Sequence, residues 1–499
     1  MRRLLFILPA LLVSCGGSTS GDGPAPGDGG DGPDAPRPDT APALERVKNL
    51  TIPQIAIFQG VKVPLMQDGA MLVGQRSPVI AGRQGIFRVY VKPGAAWVPR
   101  EVTGYLTLNN ASGTPLVLTD TKTISAESSD NKLPSTLNFE FDTGVIDTST
   151  TYSVVLETAP GQADGPSDGA AYPPGTDTDP ISALVVGEAL KLVIVPFQYN
   201  ADKSGRTPDT SDDAAGKWRD ALHTLYPTKH VEVTMHAPIA WNQPIAASGS
   251  GWGQVLQYTL GLRQKEMAPD NAFYYGVFEP GGSFDSFCAG GCVGGLASVP
   301  GSTTDTYVRG AIGLGWLSDF AYATMAQELG HSLGRFHAPC GGAAQVDSKY
   351  PYAGGNIGSW GYDILQKRMQ SPTVADFMGY CEPSFVSDYT FAAIASRLAQ
   401  IAKTVPSMRR VPTNYHVVNV GIDGSATWGE DVVLDAPPSG AEESVVYAGR
   451  DGHGLRTVIG HYYRYEDIPG GAMLIPDGPA DFASVRISGV AARPLELLR

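Results

Sequence analysis

The chain has 499 residues, 42% of them hydrophobic and 17% charged, a globular rather than a disordered balance. Its length exceeds what one core organises, so two to four domains are expected. The formal net charge of −14 argues against nucleic acid or an anionic membrane surface as partners, because both recruit clustered Lys and Arg.

The N-terminus reads as an export signal. Arg2 and Arg3 precede the apolar run Leu4 to Val13, far shorter than the about 20 residues a spanning helix needs. No later stretch is long and apolar enough to span a membrane as a helix. The run closes on Leu12-Val13-Ser14-Cys15, which is similar to a bacterial lipobox, in which the cysteine takes lipid and becomes the mature N-terminus. The alternative is an ordinary signal peptide that happens to contain Cys. A lipoprotein signal over 1–15, lipidated at Cys15, is the expectation, with membrane attachment through that lipid. Gly16, where Asp is linked to inner-membrane retention, points to the outer membrane or cell surface. Residues 16–45 are rich in Gly, Pro and Asp and have no apolar pattern to bury, so a flexible tether is expected over 16–48.

From 49 to 187 the pattern is β. NLTIPQIAIFQGVKVPL, GIFRVYVKP, REVTGYLTLNN, STLNFEFDTG and TYSVVLETA alternate apolar and polar residues between turn signals, which predicts a β-sandwich. Near 188 the pattern changes. LKLVIVPFQYN is a continuous apolar run, as in a strand buried on both faces. Ala215, Trp218, Ala221, Leu222 and Leu225 then recur at helical spacing. HVEVTMHAP, the helical WGQVLQYTLGLRQKE and the strand NAFYYGVFE continue the alternation, which predicts a mainly parallel sheet with packed helices. GGLASV and YVRGAIGLG are further candidate strands, a helix is expected after Ser318, and SDYTFAAIASRLAQI reads as a closing helix. After about 405, NYHVVNVGID, DVVLDAP, SVVYAGR and ASVRISGVA return to alternation and predict a small C-terminal β domain over 406–499.

Five cysteines occur. With Cys15 assigned to lipid, the even remainder in an exported chain reads as two disulfides, Cys288–Cys292 by proximity and Cys340–Cys381 as the remaining pair. A four-cysteine zinc site is disfavoured, because the spacings do not repeat a paired CxxC pattern.

The chemistry concentrates in QELGHSLGRFH, 327–337. Residues three and four apart share a helix face, so Gln327, Glu328 and His331 project together. Gly334 permits a sharp turn that would return His337 to His331. Two imidazoles, a third ligand and a neighbouring carboxylate are what a zinc-activated water requires. The plain alternative is a buried helix carrying two core histidines.

These residues resemble the metzincin clan of zinc peptidases, whose signature is HExxHxxGxxH. ADFMGYC, 375–381, resembles that clan's Met-turn, and the order of strands and helices around the motif is similar too. The FQGVKV and AGRQGIFRVYVKP segments are similar to secreted mucin-degrading zinc proteases of enteric bacteria. The resemblance implies a multidomain α+β chain with a metzincin-like α/β catalytic domain over 188–405. It implies Zn²⁺ held by His331 and His337, and Glu328 as general base and then acid. Met378 would be the hydrophobic floor, and Tyr380 an oxyanion stabiliser or switchable ligand. A Cys340–Cys381 bridge would staple the third-ligand loop to the Met-turn. The substrate would be a protein or glycoprotein, added as a strand to GGLASVP or YVRGAIGLG.

The departure is Gln327, where the clan has its first histidine. Gln327 would ligate weakly through its amide oxygen, or another group completes the site, or the site is empty. His223, His230, His236, His416, His453 and His461 have no motif spacing. The expected function is a lipid-anchored zinc endopeptidase. The alternative is a catalytically degenerate homologue serving as a cell-surface binding module.

Overall fold

The computed structural model describes residues 43–403, 412–490 and 494–499. The signal segment, Cys15 and most of the expected tether lie outside them, as does the expected boundary at 405–406. Leu44–Arg499 form one compact, multidomain unit, mostly β, with five α-helices and several sheets among the described residues. Residues 44–48, expected as tether, are ordered instead. Glu45–Arg46 pairs with strand Thr151–Thr158, and Val47 is fully buried.

Two antiparallel sheets fill the N-terminal region. One is built on strands Arg100–Asn109, Leu116–Ile124 and Thr151–Thr158, the other on Leu50–Phe58, Lys62–Gln67, Gly85–Pro93 and Leu137–Phe141. Their inner faces meet: Phe87 lies 5.9 Å from Tyr152, and Leu137 and Phe139 press on Gly104. This is the sandwich the alternation predicts. Strand Leu116–Ile124 was not among the expected strands, because its exposed face carries Thr119, Thr121 and Thr123 rather than a clean apolar alternation.

The mixed sheet follows, in spatial order Val231–Met235, Leu190–Tyr199, Ala272–Phe278, Gly310–Leu314 and Gly295–Leu296. All pairings are parallel except the last, which is antiparallel. Its strands are covered on both faces. Leu192, Ile194, Phe273, Tyr275 and Val277 face helices α1 (Asp212–Leu225) and α4 (Asp319–Ser332), whereas Val195, Phe197, Tyr274 and Phe278 face α2 (Trp252–Lys265). Double coverage is why these strands read as continuous apolar runs. A short α3 (Phe284–Cys288) and the closing α5 (Asp388–Lys403) complete the helices.

The C-terminal sheet, residues 413–498, is antiparallel. Tyr415, Val417, Val432, Leu434 and Leu474 pack on the outer side of α2, which is therefore buried on two sides. Asp305, buried in a loop of the mixed-sheet region, accepts from Ser439 N at 2.8 Å and from the Tyr463 hydroxyl. The hairpin between Gly454–Arg464 and Gly471–Pro476 was not expected from the sequence. Its turn, 465–470, points into the mixed-sheet region rather than into solvent. Glu466 N donates to Ala297 O at 3.2 Å, Ser298 bridges Tyr465, and Tyr465 and Ile468 are buried.

Candidate functional site

Helix α4 starts at Ser318, whose hydroxyl accepts from Ala321 N at 3.2 Å, the side-chain cap that orphan N–H groups favour. It ends on a reciprocal pair of bonds, Gly334 N to His331 O at 2.8 Å and Arg335 N to Gly330 O at 3.0 Å. That pattern needs a left-handed residue after the last turn, and Gly334 supplies it with φ +84°. The reversal returns His337 to His331, as the spacing predicts.

The two imidazole rings lie 4.5 Å apart, centroid to centroid, both fully buried. His331 Nδ1 donates to Arg335 O at 2.7 Å and His337 Nδ1 to Ala344 O at 2.5 Å. A carbonyl only accepts, so both Nδ1 atoms carry hydrogen and, in the neutral rings, both Nε2 atoms present lone pairs. These Nε2 atoms face each other at 3.1 Å. Burial pushes His331 down to about 4, so it is neutral near pH 7. Burial also works against charge on His337, but its hydrogen bond to Asp467 outweighs that and raises it, so the 3.1 Å gap holds a proton or, in its place, a cation.

Three carboxylates surround the pair. Glu328 is buried beside it on α4, and Glu466 and Asp467 arrive on the C-terminal hairpin. Burial first, then the charge of Asp467, pushes Glu328 well above the usual carboxyl range. Burial lifts Glu466 to about 7. No Lys or Arg hydrogen-bonds to any of the three among the described residues. Glu466 Oε2 and Gln327 Nε2 are buried with no hydrogen-bond partner, and the raised Glu328 carboxyl hydrogen-bonds to Asp467. Two imidazole Nε2 atoms turned toward each other, clustered acids and a buried oxygen without a donor form a set that fits a divalent cation. His331, His337 and Asp467 each offer a ligand atom, all within 4.8 Å of one another.

Met378 lies under the helix: a Cβ added to Gly330 would sit 2.4 Å from its sulfur. Asp376 holds this turn through Met378 N at 2.8 Å and Ser387 N at 3.1 Å. Backbone bonds join it to the His337 loop, Ala338 N to Met378 O at 3.0 Å and Tyr380 N to Cys340 O at 3.2 Å. Cys340–Cys381 and Cys288–Cys292 both lie at disulfide distance. The half-exposed Tyr380 stacks edge-on against His337 at 5.0 Å and donates its hydroxyl to Asp467.

Above these groups opens a cleft of about 520 Å³, with Gly294 and Gly295 on one wall, Gln327 and Glu328 on the floor, and Tyr380 and Asp467 opposite. Of the two candidate edge strands, Gly295–Leu296 is the outer one, and Gly310–Leu314 lies inside the sheet. A Cβ at Gly295 would sit 2.5 Å from the Glu328 side chain, so only glycine lets the edge strand run this close.

The other histidines are elsewhere. His236 pairs with Glu266 at 2.9 Å and His416 with Asp431 at 2.9 Å, His230 lies 3.5 Å from Glu232, and His223, His453 and His461 are not in the cluster. Asp467 is the residue the sequence did not offer. Its only signal is YEDIPG, a turn whose Tyr465 and Ile468 are too apolar for a solvent-facing tip.

The family model described as Peptidase M66 matches residues 306–389, from the loop before strand Gly310–Leu314 to the start of α5. That segment holds Glu328, both histidines and Met378. It supports a peptidase, of a metallopeptidase family. No curated protein matches the chain.

Proposed function

We propose that the chain is a lipid-anchored, zinc-dependent endopeptidase with a metzincin-like catalytic region, acting on protein or glycoprotein substrates. The observation that carries the reading is the facing pair of imidazole Nε2 atoms beside the buried Glu328 carboxyl, in the lining of an open cleft. His331 and His337 would hold the metal. A bound zinc ion supplies Lewis-acid polarisation of a carbonyl and lowers the pKa of water. Glu328 lines the cleft beside the two imidazoles and would take a proton from water and return it to the leaving amine. A nearby dication would favour its charged form, opposite to the effect of burial. The Gly295–Leu296 edge would align an extended peptide by main-chain pairing. Tyr380, half-exposed at the rim, holds its one hydroxyl proton on Asp467 and would swing off it to donate to the developing oxyanion. The Cys15 pattern supports the anchor and a place at the outer membrane or cell surface.

The test is cleavage of casein or a peptide library by zinc-loaded protein. Wild type is expected to cut, and Glu328→Gln to lose about 10²–10⁴-fold of the rate while keeping its metal. A wild type that binds zinc yet cuts nothing would favour the binding-module reading, which Gln327 motivates.

A further inference from the structure

We infer that Asp467, delivered by the C-terminal hairpin, is the third metal ligand of this chain and takes the place the helix motif leaves to Gln327. The inference rests on the metallopeptidase reading and extends it to which residues bind.

Three observations converge. The first is spacing. Ligands on a tetrahedral zinc at 2.0–2.1 Å lie about 3.3 Å from one another. His331 Nε2 is 3.1 Å from His337 Nε2, and His337 Nε2 is 3.3 Å from Asp467 Oδ1. Two edges of such a tetrahedron are therefore in place, and the three donor atoms lie within 4.8 Å of one another, a spread that an ion would draw in. The second is orientation. His337 Nδ1 is held by Ala344 O at 2.5 Å, which turns Nε2 toward both His331 Nε2 and Asp467 Oδ1. The third is that the buried Asp467 carboxylate meets a second acid, Glu328, and its Oδ2 has no N–H donor.

The hairpin is held as a ligand-bearing loop must be. Gln345 Nε2 donates to Tyr465 O at 3.0 Å and Glu466 O at 3.1 Å, while its neighbour Ala344 fixes the His337 ring. One short segment thus orients both donors. Tyr465 is locked against α2, where a Cβ on Gly253 would sit 2.6 Å from its hydroxyl. Tyr380 donates to the same oxygen, Oδ1, that faces His337, which sets the carboxylate's orientation. Outer contacts of this kind are what hold metal ligands in place. Carboxylate suits zinc better than the amide oxygen of Gln327, and its charge offsets half that of the ion.

The test is zinc affinity of the full chain, measured by titration against a competing chelator. Wild type is expected to bind about one zinc per chain. Asp467→Asn preserves size and the Tyr380 contact and is expected to weaken zinc at least about 10–100-fold. Gln327→Ala is expected to change it less than about threefold. Gln327→His in the Asp467→Asn background is expected to restore affinity, because three histidines then surround the ion. Circular dichroism and thermal melting confirm that each variant is folded. Asp467→Asn binding as tightly as wild type, or Gln327→Ala weakening zinc as much as His331→Ala, overturns the assignment and leaves the peptidase reading standing. No zinc uptake by folded wild type overturns both.

Discussion

Gly330 shows how little room the site leaves at the scale of one residue. It sits mid-helix between Leu329 and His331, where alanine would ordinarily favour the helix. Yet a methyl there would press into the Met378 sulfur at 2.4 Å. Gly330→Ala is expected to destabilise the fold by about 1–3 kcal/mol through overpacking, read as a lower urea midpoint. Met378→Ala in the same background should recover part of that loss, a coupling that a double-mutant cycle measures. The convergence of residues was largely legible: Glu328, His331, Gly334 and His337 come together because one helix and one turn fix their spacing. Asp467 was not legible, since nothing local relates it to a motif some 130 positions earlier.

At the scale of elements, the loop carrying His337 and the turn carrying Met378 have almost no regular structure of their own. Two backbone hydrogen bonds and the Cys340–Cys381 bridge join them. The bridge spans 41 positions, and closing a loop of that length restricts the unfolded chain by about 4 kcal/mol in the chain-entropy model. Replacing both cysteines by alanine is expected to lower stability by about that amount, seen in denaturant unfolding, and to weaken zinc as His337 loosens. The small Cys288–Cys292 loop should contribute less. Strands covered on both faces and helices with clean periodicity were readable in advance. The Gly454–Arg464 strand was not, because its first half is exposed on both faces and only Val458 onward packs inward. The order of strands within the mixed sheet, and hence which of two glycine-rich segments forms its edge, also needed the structure, since pairing leaves no mark on composition.

Over the whole molecule, the N-terminal sandwich and the peptidase-like region share one core rather than meeting as separate bodies. Arg83 links them. Fully buried, it donates to Gln59 O at 2.8 Å on its own side, and to Thr228 O at 2.8 Å and His223 O at 2.6 Å across the junction. Arg83→Leu would strand three buried carbonyls, each costing about 1–3 kcal/mol. The expected outcome is a loss of at least about 3 kcal/mol, with the sandwich and α1 losing amide-exchange protection together. Composition had pointed to modules in series, because chain order is visible in a sequence and shared burial is not.

The two large cores differ in when they can close. The one that runs from Val47 to Ile401 uses nothing later in the chain, whereas the one around α2 needs Tyr415, Tyr465 and Leu474. A polypeptide delivered N-terminus first can therefore consolidate most of its mass while α2 still shows a bare apolar side. The hairpin that reaches the histidines is among the last pieces to emerge. Pairing Ser298 with Tyr465 then closes a very long loop, a slow kind of contact. On this timetable a chain clipped before the hairpin holds the two histidines and the glutamate but lacks the acidic tip, so the cation site proposed above would stay incomplete until that hairpin docks.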